Sequence, residues 1–216
     1  MISSIYRHLI ILLVFCGCAA LAGAQEKGKP LTNSELLALV AGNALNENVV
    51  HEIESRGLAF RPGDGFRSQL KDAGADARVL AALGKATISS ANEAAGNKES
   101  SELLQHLSAA GKYLRAKQYE AAAQDLNAAL QNDGGIEAGF VMGELLRQQE
   151  QWPMSASVYE KVLQENPDFP EAHTKLSYLM YRLGDSDEGL REAKAALARN
   201  SLSASTARTT PSWSVL

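Results

Sequence analysis

A spacing of about 34 residues recurs in the second half of this chain, and it limits the possible folds more than any other feature does. Aligning the segments that begin at Tyr119, Trp152 and Ser186 brings one leucine of each into register, at separations of 33 and 34 residues: these are Leu130, Leu163 and Leu197. A period of this length, built from two helical halves, is typical of helix-turn-helix arrays. The sequence therefore predicts an all-α fold.

Small residues occupy matching places in the three units. They are Ala110, Gly143 and Ser177 on the first helices and Ala122, Ser155 and Gly189 on the second. Two antiparallel helices approach closely only where the side chains between them are small, so we expect each pair to cross at these residues. Pro153 falls in the first turn of a predicted second helix, and Pro167 follows the end of that helix.

The segment from about Leu103 to Asn200 resembles three tetratricopeptide repeats. The middle unit carries the fullest pattern, with Gly143, Trp152, Ser155, Tyr159, Val162 and Pro167. Gly134 and Ser201 stand where the first and third units would have proline. The resemblance covers a little under half of the chain. It implies a superhelix over residues 101–200 that binds protein or extended peptide.

In such a superhelix the first helices line a concave groove. The aligned groove positions hold Leu107, Leu114, Arg115, Phe140, Glu144, Arg147, Tyr178, Tyr181 and Arg182. Aromatic residues and arginines are frequent binding hot spots, so we expect this set to contact a partner. Alternatively, Phe140 and Tyr178 only pack against neighbouring helices or the preceding segment. The lysine and asparagine set with which some family members clamp a peptide carboxylate is absent, because Phe140, Glu144, Thr174 and Tyr178 occupy those positions.

Residues 32–86 predict a separate bundle of about four short helices. Thr32 and Glu35 have the spacing of a capping box, and Gly42, Gly57 and Gly74 are helix stops. This segment resembles a short helical module that precedes repeat domains in some bacterial envelope proteins. Residues 87–100 contain few large apolar side chains and predict a linker.

The first 24 residues predict a secretory signal peptide. A short apolar run ends in Ala22-Gly23-Ala24, the small residues of a cleavage site, so we expect the mature chain to begin at Gln25. An uncleaved membrane anchor and lipid attachment at Cys18 are the alternatives, and either would place the protein at a membrane. Cleavage removes both cysteines, which excludes disulfides and cysteine-ligated zinc from the mature form. The protein is expected to be exported, to the periplasm or beyond.

Charge and motifs argue against several classes of function. The net charge of −4 provides no electrostatic reason to bind nucleic acid. His51, His106 and His173 are too scattered for a metal motif, and the glycine-lysine pair at Gly84 and Lys85 lacks the rest of a phosphate loop. No catalytic constellation and no cofactor site is predicted.

Two functional hypotheses remain. The first is a non-catalytic scaffold of the bacterial cell envelope that binds a protein or extended peptide in the concave groove. The second is an enzyme or ligand-processing protein with its site in the N-terminal module. The sequence decides neither the partner nor the oligomeric state.

The end of the chain predicts an array without a regular capping helix. Residues 201–216 are rich in serine and threonine and show no sustained apolar period, so a largely disordered tail is expected. Leu190, Ala193 and Leu197 should then be less covered than Tyr159 and Val162 of the middle unit. Trp213 and Leu216 folding back, a partner or second copy, or truncation from a longer array are the alternatives for this end.

Overall fold

The computed structural model describes residues 29–89, 101–132 and 134–207, and this part of the chain contains ten α-helices and no strand. The fold is all-α, as the sequence predicts. The helices are α1 (Asn33–Ala41), α2 (Asn46–Arg56), α3 (Asp64–Ala73), α4 (Ala77–Lys85), α5 (Ser101–Arg115), α6 (Tyr119–Gln131), α7 (Gly135–Gln148), α8 (Trp152–Glu165), α9 (Pro170–Leu183) and α10 (Ser186–Ala207). The predicted signal segment lies outside the described residues.

The first four helices form the N-terminal module, and their ends follow local sequence signals. Thr32 is the N-cap of α1, where its hydroxyl accepts a hydrogen bond of 3.1 Å from the backbone N–H of Glu35. The reciprocal half of the predicted capping box does not form, because the Glu35 carboxylate binds Arg56 instead. Gly42, Gly57 and Gly74 follow the ends of α1, α2 and α3, as predicted.

Three short segments, from the beginning, middle and end of this module, pair with one another through their backbones. Leu58 forms isolated parallel bridges with Leu31 on one side and with Ile88 on the other. The backbone N–H of Leu58 donates to the carbonyl oxygen of Thr87 at 2.9 Å. Residues 87–89 of the predicted linker are therefore held against the module, while 90–100 lie outside the described residues.

The remaining six helices form three antiparallel pairs: α5 with α6, α7 with α8, and α9 with α10. In the second and third pairs, small residues meet where the helices cross, as predicted. Ser155 on α8 donates a 2.7 Å hydrogen bond to the carbonyl oxygen of Gly143 on α7. In the next pair the roles are exchanged, since Ser177 on α9 donates to the carbonyl oxygen of Gly189 on α10, also at 2.7 Å.

Two of the histidines join paired helices. His106 on α5 forms a 2.8 Å hydrogen bond with Asp125 on α6, and His173 on α9 bonds in the same way to Glu192 on α10. The two partners of each pair are 19 residues apart. These histidines therefore make equivalent contacts in the first and third helix pairs.

The N-terminal module packs against the first helices of the pairs. Helix α1 contacts α5 and α7, and α3 contacts α5. The approach is close: a Cβ added to Gly111 on α5 would lie 2.9 Å from the Cα atom of Ala41 on α1. One continuous apolar core runs from Leu31 to Leu179 as a result. The module and the helix pairs thus share one hydrophobic core.

The last helix continues seven residues beyond Asn200, where the sequence predicts the end of regular structure. No proline or glycine follows Asn200 until Pro211, so nothing in the local sequence stops the helix there. Residues 208–216 lie outside the described part of the chain. The predicted difference in coverage is confirmed, because Leu197 is 67% exposed, Leu190 is exposed and Ala193 is half-buried, whereas Tyr159 and Val162 are buried.

Candidate partner-binding surface

The N-terminal module covers most of the groove that the sequence predicts as a binding surface. Four of the nine predicted residues are buried, namely Leu107, Leu114, Phe140 and Glu144. They lie on α5 and α7, the helices that α1 contacts. The prediction that these four line an open groove is corrected accordingly, and for Phe140 the alternative of packing against the preceding segment is the one observed.

Arg115 is also engaged by the module. Its guanidinium donates hydrogen bonds to the carbonyl oxygens of Asp72 and Ala73, at the C-terminal end of α3. The last carbonyl groups of a helix lack partners within the helix and carry partial negative charge, so a cation stabilises them. Of the residues predicted to line the groove, Arg115 is therefore bound to α3 of the module.

Glu144 lies at the centre of a buried polar cluster between α7 and α9. Its carboxylate accepts hydrogen bonds from Arg147 Nε at 2.8 Å and Nη2 at 2.7 Å, and from Gln148 at 3.0 Å. Lys175 Nζ lies 3.2 Å away and also donates to the carbonyl oxygen of Asn43 at 2.8 Å. Burial raises the pKa of Glu144, but these donors outweigh burial and the net pKa is lowered. The carboxylate is therefore held ionised.

The contact between Lys175 and Asn43 marks the edge of the module along the predicted groove. Asn43 lies in the turn between α1 and α2, and Lys175 is in the middle of α9. Beyond this contact, Tyr178 and Tyr181 on α9 are 46% and 64% exposed, and Arg182 is exposed too. The C-terminal half of α9 is thus the uncovered remainder of the predicted groove.

Five side chains form this uncovered surface, which we call the ledge: Arg147, Trp152, Tyr178, Tyr181 and Arg182. Tyr178 and Arg182 are one helical turn apart and share a face of α9. The guanidinium carbon of Arg182 lies 5.1 Å from the centroid of the Trp152 ring, a cation–π geometry. The hydrogen bond to Glu144 raises the pKa of Arg147, and Tyr178 lies close enough to Arg147 for the two side chains to interact. The structure therefore brings Arg147, Tyr178 and Arg182 into one neighbourhood.

A buried hydroxyl lies beneath this region. The ring of Tyr159 packs on Gly143 and against Phe140, and its hydroxyl has no hydrogen-bond partner among the described residues. Burial raises the pKa of Tyr159 well above its ordinary value, and the nearby carboxylate of Glu144 adds to the effect. The phenol is therefore neutral and acts as part of the core.

A small cleft separates α2 from the start of α9, and Glu171 is its most buried carboxyl group. Glu171 accepts a 3.0 Å hydrogen bond from the side-chain amide of Asn48, while Glu35 and Glu52 at the same cleft pair with Arg56. The pKa of Glu171 is raised, chiefly by burial. Protonation of Glu171 therefore stabilises the folded state, in which the module is packed against α9.

This raised pKa predicts a pH-dependent stability at the cleft. Because the folded state holds the Glu171 proton more tightly than the unfolded chain does, the contribution of Glu171 to the free energy of unfolding should fall as pH rises from about 4.5, and then level off above the raised pKa. The Glu171→Gln variant has no ionisable carboxyl at this position, so its stability relative to wild type should increase over the same pH interval. Denaturant titrations across that range measure the difference. A difference that stays constant with pH would contradict the assignment.

The described residues lack the features of a metal-binding site and of a membrane-spanning helix. They contain no group of three or more histidine, cysteine, aspartate or glutamate side chains arranged to hold a metal ion. No helix among them has the length and apolar character needed to cross a membrane.

Comparisons with known proteins do not assign the chain to a family. No protein-family model matches the sequence, and neither the curated proteins nor the solved structures include a significant match.

The covering of the groove is what sequence reasoning missed. A signal for it is present in α1, whose sequence from Asn33 to Ala41 is apolar on nearly every side, and eight of its nine residues are buried. A helix that is apolar all round belongs in an interior. A free four-helix module offers too little interior for such a helix, so a second surface was needed to cover it.

Proposed function

We propose that this chain is a non-catalytic protein-binding scaffold of the bacterial cell envelope, exported and built on tetratricopeptide-like helix pairs. The binding surface is the ledge, because the N-terminal module occupies the rest of the concave side. The observation that carries this proposal is the exposure of two tyrosines and an arginine together at the edge of the module. Residues of these types supply much of the binding energy in protein interfaces.

The repeat assignment is supported by equivalent contacts in successive pairs. The pairs Gly143–Ser155 and Ser177–Gly189 lie at matching positions, and in each the serine hydroxyl donates to the glycine carbonyl oxygen. The pairs His106–Asp125 and His173–Glu192 match in the same way. A set of tertiary contacts that recurs at the sequence period is expected of a repeat array.

Selection from a random peptide display library tests the proposed binding surface. The chain from Gln25 onward serves as bait, and the affinity of each selected peptide is then measured by calorimetry. Tyr178→Ala and Arg182→Ala should each weaken binding about thirtyfold, as truncation of a hot-spot residue does. Leu190→Ala and Arg191→Ala, exposed on α10, are the matched controls and should bind as wild type does. Peptides that keep full affinity for both ledge variants would refute the assignment.

Export is tested separately. Mass spectrometry of the protein recovered from the periplasm of an expressing bacterium should find a chain that begins at Gln25. Recovery of the full-length chain in the membrane, or of a diacylglycerol group on Cys18, would replace this proposal with a membrane-anchored protein.

A further inference from the structure

The size of the ledge limits what it can bind. From Lys175, where the module ends, to Arg182 is seven residues of helix, or about 10 Å at the rise of an α-helix. An extended peptide covers that length with about three residues. The ledge therefore matches a short motif rather than a long segment threaded along a full groove.

The charge of the ledge points to the chemistry of that motif. Arg147 and Lys175 share the single carboxylate of Glu144, so this group of three side chains has an excess positive charge. Among the described residues no carboxylate lies within ion-pair distance of Arg182. The ledge is thus locally cationic on a chain whose net charge is −4.

The two guanidinium groups are also held in place before any partner arrives. The ring of Trp152 supports the face of Arg182, which leaves its N–H groups at the edge free to donate. Two bonds to Glu144 fix Arg147, and its Nη1 has no part in either bond. Donors that are already ordered lose less entropy on binding, and the planar guanidinium matches a carboxylate in a bidentate manner.

Exposed aromatic surface lies beside these donors. Tyr178 and Tyr181 are both on α9, three residues apart, and each presents a large part of its side chain to solvent. Tyrosine provides apolar contact area at a low cost in conformational entropy. An apolar side chain next to an acidic one would therefore find a contact on the same surface.

We propose that the ledge recognises a short acidic motif of a partner protein, in which one or two carboxylates bind Arg147 and Arg182 and a neighbouring apolar side chain packs on Tyr178 and Tyr181. This inference rests on the proposed function and specifies the partner. It concerns the ledge, whose side chains lie on α7, α8 and α9 beyond the edge of the module.

Titration with three capped pentapeptides tests the motif. The acidic probe is acetyl-Gly-Glu-Leu-Glu-Gly-amide, and the matched probes carry Gln or Lys in place of both Glu residues. Binding is followed by nuclear magnetic resonance, which detects weak affinity and locates the affected amides. The acidic probe should shift the amide resonances of Tyr178 and Arg182 and bind at least about tenfold more tightly than the Gln probe. Added salt should weaken it, because the ledge is exposed to solvent.

Substitutions of single arginines distinguish a specific contact with Arg182 from a general effect of positive charge. Arg182→Gln should weaken the acidic probe about tenfold, while the exposed control Arg191→Gln should leave its affinity unchanged. Equal binding of the Glu and Gln probes, no binding of the Glu probe, or an Arg182→Gln variant with wild-type affinity would each overturn the acidic motif. If display-selected peptides without acidic residues still require Tyr178 and Arg182, the proposed binding surface stands and only the motif fails. If the selected peptides bind elsewhere, the proposed function itself fails.

Discussion

Replacement of Phe140 by alanine is expected to lower the free energy of unfolding by about 3–5 kcal/mol, the usual cost of removing a buried phenylalanine ring. Phe140 is fully buried at the junction between the module and the helix pairs. Its ring centroid lies 4.8 Å from that of Phe169 and 5.7 Å from that of Tyr159, and Gly42 of the module packs directly on it. The cavity would therefore open where three parts of the core meet.

Chemical denaturation of the wild type and two variants measures this effect. Tyr181→Ala removes a similar volume from an exposed position and should change stability by no more than about 0.5 kcal/mol. If Phe140→Ala costs less than about 1 kcal/mol, the ring does not fill a shared interior as described.

The second large effect is expected at Glu144. Replacement by glutamine keeps the shape of the side chain but removes the charge that Arg147 and Lys175 share. Removal of one partner from a buried ion pair typically costs about 3–5 kcal/mol, and we expect a value near the lower end because Arg147 keeps some contact with water. Glu160→Gln, at an exposed position on α8, is the neutral control.

A double-mutant cycle identifies the cause of this loss. Since Lys175 contacts the Glu144 carboxylate, the combined variant Glu144→Gln, Lys175→Gln should be more stable than the sum of the two single effects implies. Strict additivity would show that the two side chains do not interact and that the cluster is not what joins α7 to α9.

Local signals in the sequence predict most of the helix ends. Thr32 begins α1, Gly57 follows the end of α2, and Pro153 lies in the first turn of α8, each for a reason that involves only neighbouring residues. The crossing of α7 and α8 at Gly143 and Ser155 is also predicted, because the 34-residue period repeats it. Such features depend on backbone geometry within one helix pair.

The covering of the groove depends on contacts between distant segments. Gly111 and Ala41 are 70 residues apart in sequence, and each is ordinary within its own helix. Their close approach follows from the complementary shapes of α1 and α5, which a periodic pattern does not encode. For the same reason the alignment of groove positions could not distinguish Phe140, which is buried, from Tyr178, which is exposed. The exposed part of the candidate site was predicted, and its boundary was not.

Hydrogen exchange of the backbone amides of α1 tests the central claim, that the N-terminal module and the helix pairs share one interior. Because α1 is packed between the other helices of the module and helices α5 and α7, its amides should exchange only when the whole chain unfolds. They should then show the same opening free energy and denaturant dependence as the amides of α7. If α1 exchanges much faster than α7 under native conditions while α7 remains protected, the module separates from an intact array, and the groove would then be open to a partner.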